Sequence, residues 1–182
     1  MILNKDKEEF FFKNKKILIT GSSGFIGKNL VENLSKFNCN IFAIYNNSKT
    51  SFKKKNVKFL KHDLSKILPS KIISSKIDIL IHLAGPRADR KSMVNDNAIL
   101  KSLLIDKNII DFAIKKKIST FFFASSAGVY NITKTSFEEK KLPISLNSDG
   151  IYGLNKLISE KMICNSFNKT KIIICRFFSI YG

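Results

Sequence analysis

Three glycines, Gly21, Gly24 and Gly27, follow an apolar run in KILITGSSGFIGKNL (residues 16–30) and constrain this chain more than any other feature. A glycine directly after a strand allows backbone angles closed to other residues, and three together strip the turn of side chains. Over Phe25–Phe37, apolar residues recur at Ile26, Leu30 and Leu34, a helical spacing. Strand, bare turn and helix N-terminus in that order make a cradle for phosphate, with exposed backbone N–H groups and the partial positive charge of the helix end. A turn with only a packing role is the plainer alternative.

The rest of the chain repeats this alternation. Strands are expected at Lys16–Thr20, Ile41–Tyr45, Val57–Lys61, Ile77–Leu83, Thr120–Ser125 and Lys171–Phe177, several of them apolar at successive positions. Such runs suit a parallel sheet covered on both faces. Helical stripes are carried by Ile99, Leu103, Leu104, Ile110, Ala113 and Ile114, and again by Leu154, Leu157, Ile158, Met162 and Ile163. The segment 65–75, with Pro69 inside it, is ambiguous. The expected fold is α/β: a Rossmann-like, doubly wound parallel sheet of about six strands with helices on both faces. Ligands bind such sheets at the carboxyl ends of the strands.

At 182 residues, 44% of them hydrophobic, the chain suits one domain with a real core. Residues 1–15 read as a charged leader and residues 16–182 as the domain. No apolar run approaches the ~20 residues of a membrane span, and the opening MILNKDKEEFFFKNKK is a poor secretory signal. Cys39, Cys164 and Cys175 are scattered, in no metal-ligand spacing, and read as free thiols in the cytoplasm. Nothing suggests a metal. The net charge of +18 invites a nucleic-acid reading, yet of 32 basic residues only Arg87, Arg90 and Arg176 are arginine. Phosphate and base readers draw on the arginine fork, so lysine runs such as Lys53–Lys55 and Lys115–Lys117 read as solvated faces. A basic nucleic-acid binder stays an outside alternative. The field would still attract anionic small molecules.

The spacing T-G-x-x-G-F-I-G resembles that of the extended short-chain dehydrogenase/reductase family, the NAD(P)-dependent nucleotide-sugar epimerases and dehydratases. HDL (residues 62–64), HLAG (82–85), SSAGVY (125–130), YGLNK (152–156) and RFFSIYG (176–182) match further family blocks in order. The resemblance covers residues 16–182. It implies cofactor contacts from Gly21, Ser23, Gly24, Phe25, Ile26, Gly27, Asn46, Asp63, Leu64, Leu83, Ala84 and Gly85, as well as from Tyr152 and Lys156. No carboxylate stands at the end of the second strand, where Tyr45-Asn46-Asn47-Ser48-Lys49 is found. An acidic residue there would bind the ribose of NAD. Lys49 or Lys53 could instead meet a 2′-phosphate, so the cofactor is NAD or NADP, with a lean to NADP.

Tyr152 and Lys156 stand four residues apart on a helix and share one face. A neighbouring ammonium favours the phenolate, which lets Tyr152 take a proton from a sugar hydroxyl while hydride leaves its carbon. Family alignment makes Ser126 the hydroxyl that orients that oxygen, and Ser126, Phe178 and Ser179 the first substrate contacts. Ser125 reads as a packing or turn residue and His82 as a structural histidine. Dehydratases of the family carry Thr-Asp-Glu where this chain has Ser126-Ala127-Gly128, which favours epimerisation or simple keto–hydroxyl redox. The family's helix asparagine has no clear counterpart, with Ser102 and Asn97 nearest. Family members usually pair with a second copy through the two helices at 99–114 and 154–163. The C-terminal lobe that grips the nucleotide-sugar in the family would begin about where this sequence stops, so a truncated, catalytically incomplete NAD(P)-binding module is the alternative.

Overall fold

The computed structural model describes residues 5–48, 52–85, 96–130 and 150–181. Its elements run α1 (Lys5–Phe12), β1 (Lys16–Thr20), α2 (Phe25–Leu34), β2 (Asn40–Tyr45), β3 (Val57–Lys61), β4 (Ile79–His82), α3 (Asp96–Lys116), β5 (Thr120–Ser126), α4 (Gly150–Ser166) and β6 (Lys171–Phe177). All six strands pair in parallel, in the order β3-β2-β1-β4-β5-β6. The order reverses beside β1, which sets the ends of β1 and β4 at the switch point where a crevice opens. This is the doubly wound fold expected from the alternation.

Side-chain alternation along β1 divides the core in two. Leu18 faces Ile109, Ile110, Phe112 and Ala113 of α3 and Ile163 of α4. Ile17 and Ile19 face Val31 and Leu34 of α2, with Phe12 of α1 packed alongside. All three β1 residues are fully buried, and burial of such side chains stabilises by about 1.5–3 kcal/mol each. The charged leader is thus partly docked: the Phe12 and Phe37 rings lie 5.5 Å apart, and the Asn14 N–H donates to the Asn38 carbonyl at 2.6 Å.

β2 and β5 each run one residue beyond the apolar pattern, to Asn40 and Ser126, whereas α2 and β4 stop short of it beside side-chain hydrogen bonds. α2 stops at Leu34 rather than Phe37, because Ser35 Oγ donates to the Glu32 carbonyl at 2.7 Å and the chain tightens into turns. β4 is shorter than 77–83. Asp78 closes its start by accepting from Lys16 N–H at 2.9 Å, and the Leu83 and Ala84 N–H groups leave the ladder for Thr20 Oγ1. The ambiguous 65–75 segment holds a single 3-10 turn, Ser70–Ile72, entered from Pro69, with Leu68 and Ile73 sunk in the core.

The α3 and α4 stripes are not wholly core. Leu100, Leu104, Ile114, Ile151 and Ile158 are exposed. Among the described residues no helix is long and apolar enough to cross a membrane, and no His, Cys, Asp and Glu side chains cluster as a metal site.

Candidate functional site

The switch point holds a cleft of about 490 Å³. Its floor exists because two glycines have no side chains. Gly21 takes a left-handed backbone, φ +67°, and a Cβ there would lie 2.7 Å from Ala84 N. A Cβ on Gly27 would lie 2.2 Å from the Gly21 carbonyl oxygen, so α2 can start against the turn only as glycine. Gly24 begins α2 with no side-chain cap, which leaves the helix end available to an anion. The tight turn that these glycines allow, before an uncapped helix end, fits a dinucleotide pyrophosphate.

Of the residues expected to hold cofactor, Gly21, Ser23, Gly24, Asn46, Asp63, Leu64, Leu83, Ala84 and Gly85 line the cleft. Phe25, Ile26 and Gly27 do not; they stand in the first turn of α2, Phe25 largely exposed and Gly27 buried behind the turn. Asn47 and Ser48 extend the amide-and-hydroxyl rim after β2, where no carboxylate stands. Lys49, Arg87 and Arg90 lie outside the described residues. Asp63 accepts from the backbone N–H and hydroxyl of Ser65, at 3.0 and 2.8 Å, and these bonds hold its carboxyl below the ordinary value. Sequence reasoning missed the cleft's opposite wall, Ala98, Lys101 and Ile105 of α3. Nothing local marks them, since a 21-residue helix brings them back over the strand ends.

The cleft opens onto the second group. Gly85 lines it, and a Cβ on Gly85 would lie 3.7 Å from Lys156 Nζ. Lys156 is buried and its ammonium sits 4.8 Å above the Phe123 ring. Burial pulls the Lys156 pKa down, opposed by the charges of Asp106 and Glu160. Tyr152 is half-buried, and its phenol hydrogen-bonds the Ser126 side chain. Burial raises the Tyr152 pKa; the Ser126 bond pulls it down and the Asp106 charge adds to the rise. Ser126 is in turn fixed at the end of β5 by accepting from Gly128 N–H at 3.1 Å. Ser126 and Tyr152 therefore lie together beside Gly128, and Lys156 stands one turn of α4 after Tyr152. Ser102 is buried on α3 and Asn97 lies in its first turn. Phe178 is exposed after β6 and stacks on Tyr130, with ring centroids 6.3 Å apart, and Ser179 follows it, exposed.

Two polar networks brace this end of the sheet. His82 lies between Thr20 Oγ1 at 2.6 Å and Asp106 Oδ1 at 2.9 Å, as a structural histidine would. Ser125 donates to Glu160 at 2.5 Å, and Arg176 donates to both Glu160 oxygens, at 3.0 and 2.8 Å. Arg176 also donates to the Tyr130 hydroxyl at 3.1 Å. Sequence reasoning did not find Asp106, Glu160 or Gly153; only the last, a glycine inside a helix, carries a local signal.

The model of the NAD dependent epimerase/dehydratase family matches residues 17–182. An ADP-L-glycero-D-manno-heptose-6-epimerase of Brachyspira hyodysenteriae is 28% identical over 177 residues, covering 91% of this chain and 55% of that protein. A solved epimerase of Methanothermobacter thermautotrophicus superposes with a TM-score of 0.85 at 27% identity, covering 97% of this chain and 55% of the other. The UDP-Glc/GlcNAc 4-epimerase of Campylobacter jejuni gives a TM-score of 0.78 at 26% identity, with 91% and 54% covered. The chain spans about half the length of the relatives it matches. With a parallel doubly wound sheet, a glycine turn at its switch point and a family match over residues 17–182, this chain belongs to the NAD-dependent epimerase/dehydratase family.

Proposed function

We propose that this chain provides the cofactor-binding and hydride-transfer half of an NAD(P)-dependent epimerase or keto–hydroxyl oxidoreductase acting on a nucleotide-linked sugar. One observation carries the reading: Gly85 borders both the nucleotide cleft and the Lys156 ammonium, so the cradle leads directly to the Ser126–Tyr152–Lys156 cluster. The Gly21–Gly24 turn and the end of α2 would hold the pyrophosphate, with Asp63 and Leu64 on the adenine side. A bound nicotinamide supplies an acceptor and donor of hydride.

Tyr152 moves the proton of the reacting hydroxyl. With its pKa raised, the phenol is set as the acid that protonates a carbonyl oxygen during reduction. It serves as base in the reverse direction when positive charge is brought beside it. Ser126 fixes the phenol oxygen and offers a hydroxyl to the same substrate oxygen. The ADP- and UDP-linked sugars named for the relatives support nucleotide-sugars as the substrate class. The rim of Asn46, Asn47 and Ser48, without a carboxylate, supports the lean to NADP.

The exposed Leu100, Leu104, Ile151 and Ile158 support pairing with a second copy through α3 and α4. Three free thiols support a cytoplasmic setting.

Calorimetric titration with NAD(H) and NADP(H), followed by turnover assays on ADP-, UDP-, GDP- and dTDP-sugars, tests the proposal. Binding together with turnover that Tyr152→Phe abolishes is the expected result. Binding without turnover on any sugar would favour a cofactor-holding module, and no cofactor affinity at all would overturn both readings.

A further inference from the structure

Three ionisable side chains are buried between α3, α4 and the strands, Asp106, Lys156 and Glu160, and a fourth, Arg176, is partly buried beside Glu160. Glu160 and Arg176 satisfy each other, through two hydrogen bonds of 3.0 and 2.8 Å. That leaves a carboxylate and an ammonium. Asp106 is fully buried, in the middle of α3. Its Oδ2 accepts from Ser159 at 2.5 Å, and its Oδ1 from His82 Nε2 at 2.9 Å.

The hydrogen-bond network assigns the protons. Thr20 Oγ1 accepts from the Leu83 and Ala84 N–H groups, so its own hydrogen goes to His82 Nδ1 at 2.6 Å. His82 then carries hydrogen on Nε2 and donates it to Asp106. These bonds hold the Asp106 carboxylate between β4 and α4. Ser159 stands one turn after Lys156 on α4, and both His82 and Lys156 pack on Phe123, at 5.9 Å between ring centroids and 4.8 Å from Nζ. Among the described residues Lys156 has no carboxylate within ion-pair distance.

We propose that Asp106 is the positioning residue for Lys156: its buried carboxylate, fixed by His82 and Ser159, is the counter-charge that keeps this lysine an ammonium inside the fold. The proposal rests on the reading of Lys156 as part of the reacting cluster. The titratable groups on the elements packed about Lys156 are His82 of β4, Asp106 of α3, Tyr152 and Glu160 of α4, and Arg176 of β6. β5 contributes Phe123, Ser125 and Ser126, none of them charged. Burial works against the ammonium, and the Asp106 charge is the leading force opposing it. Without that charge, burial would drive Lys156 toward the neutral amine.

The test follows the lysine ε-carbons of the isotopically labelled whole chain by NMR against pH, with Lys156 assigned from its loss in Lys156→Arg. Asp106→Asn keeps the shape and removes the charge. It is expected to lower the Lys156 midpoint by about one pH unit, about tenfold in the fraction of neutral amine. Asp111→Asn, which removes only the exposed partner of Lys107, should leave the midpoint in place. An unmoved midpoint in folded Asp106→Asn overturns the proposal. Should Asp106→Asn fail to fold, the double variant Asp106→Asn/Lys156→Met decides. Counter-charges require it to melt higher than either single variant, and a double variant no more stable than Asp106→Asn overturns the assignment. Neither readout needs cofactor or substrate, so this result stands apart from any failure to find turnover.

Discussion

Gly153 passes so close to Gly128 that a Cβ on Gly153 would lie 1.7 Å from the Gly128 carbonyl oxygen. No side chain separates α4 from the 3-10 turn Ala127–Val129 at this point. That approach puts Tyr152, the residue before Gly153, beside Ser126, the residue that enters the turn.

Gly153→Ala is therefore expected to push α4 off the turn. Overpacking of this kind costs about 1–3 kcal/mol, although alanine is the better helix former. Urea denaturation measures the loss. A variant as stable as the parent would show that the helix does not seat this closely.

Gly21→Ala acts at the cradle. Its φ of +67° is left-handed, and the added Cβ would meet Ala84 N at 2.7 Å. Left-handed backbone alone costs a non-glycine residue about 1–2 kcal/mol. The variant should lose NAD(P) binding by at least about tenfold, which costs about 1.4 kcal/mol of affinity. Cofactor titration alongside a thermal melt separates the binding loss from unfolding.

Arg176→Met leaves the buried Glu160 carboxylate without its cation. Breaking a buried pair from one side costs about 3–5 kcal/mol. Arg176 is 15% exposed at its side chain, so the lower end of that range is expected. Glu160→Gln added to Arg176→Met should restore part of the stability, and a double variant as unstable as the sum of the singles would contradict the pairing.

Acid should destabilise the fold partly through Asp106. Burial tends to raise its pKa, but the bond and charge of His82, the charge of Lys156 and the bond from Ser159 outweigh it and leave the carboxyl below the ordinary value. A carboxyl lowered in the folded state contributes stability above its unfolded value, about pH 4, and that contribution fades as pH falls further toward the folded value. Denaturation midpoints below about pH 5 should flatten in Asp106→Asn, because the amide binds no proton. A parallel fall in parent and variant would assign the acid sensitivity to other carboxyls.

The fold was legible because its signals are local. Lys16–Thr20 is apolar at successive positions and the structure sheathes it on both faces. The glycines that follow announce a turn without side chains, and the four-residue step from Tyr152 to Lys156 places both on one face of α4. The ends of α2 and β4 were misjudged because side-chain hydrogen bonds, from Ser35 and to Thr20, stop elements that the apolar pattern would continue.

What joins the site comes from residues far apart in the chain. Thr20, His82, Asp106 and Ser159 form one hydrogen-bonded line across β1, β4, α3 and α4. Arg176 reaches back to Tyr130, 46 positions earlier. No spacing rule links such residues, since their partners are chosen by which helix crosses which strand.

Sequence alone determined the alternation of elements, the glycine turn and the placing of Tyr152 and Lys156 on one helix face, because each depends on backbone preference or a repeat within a few residues. Tertiary structure decided which polar groups are buried together: that Asp106 bonds Ser159 of α4, that Glu160 belongs to Arg176, and that Gly85 lies between the cleft and Lys156. Burial turns those meetings into strong interactions, because water no longer screens the charges, and burial is a property of the packed chain.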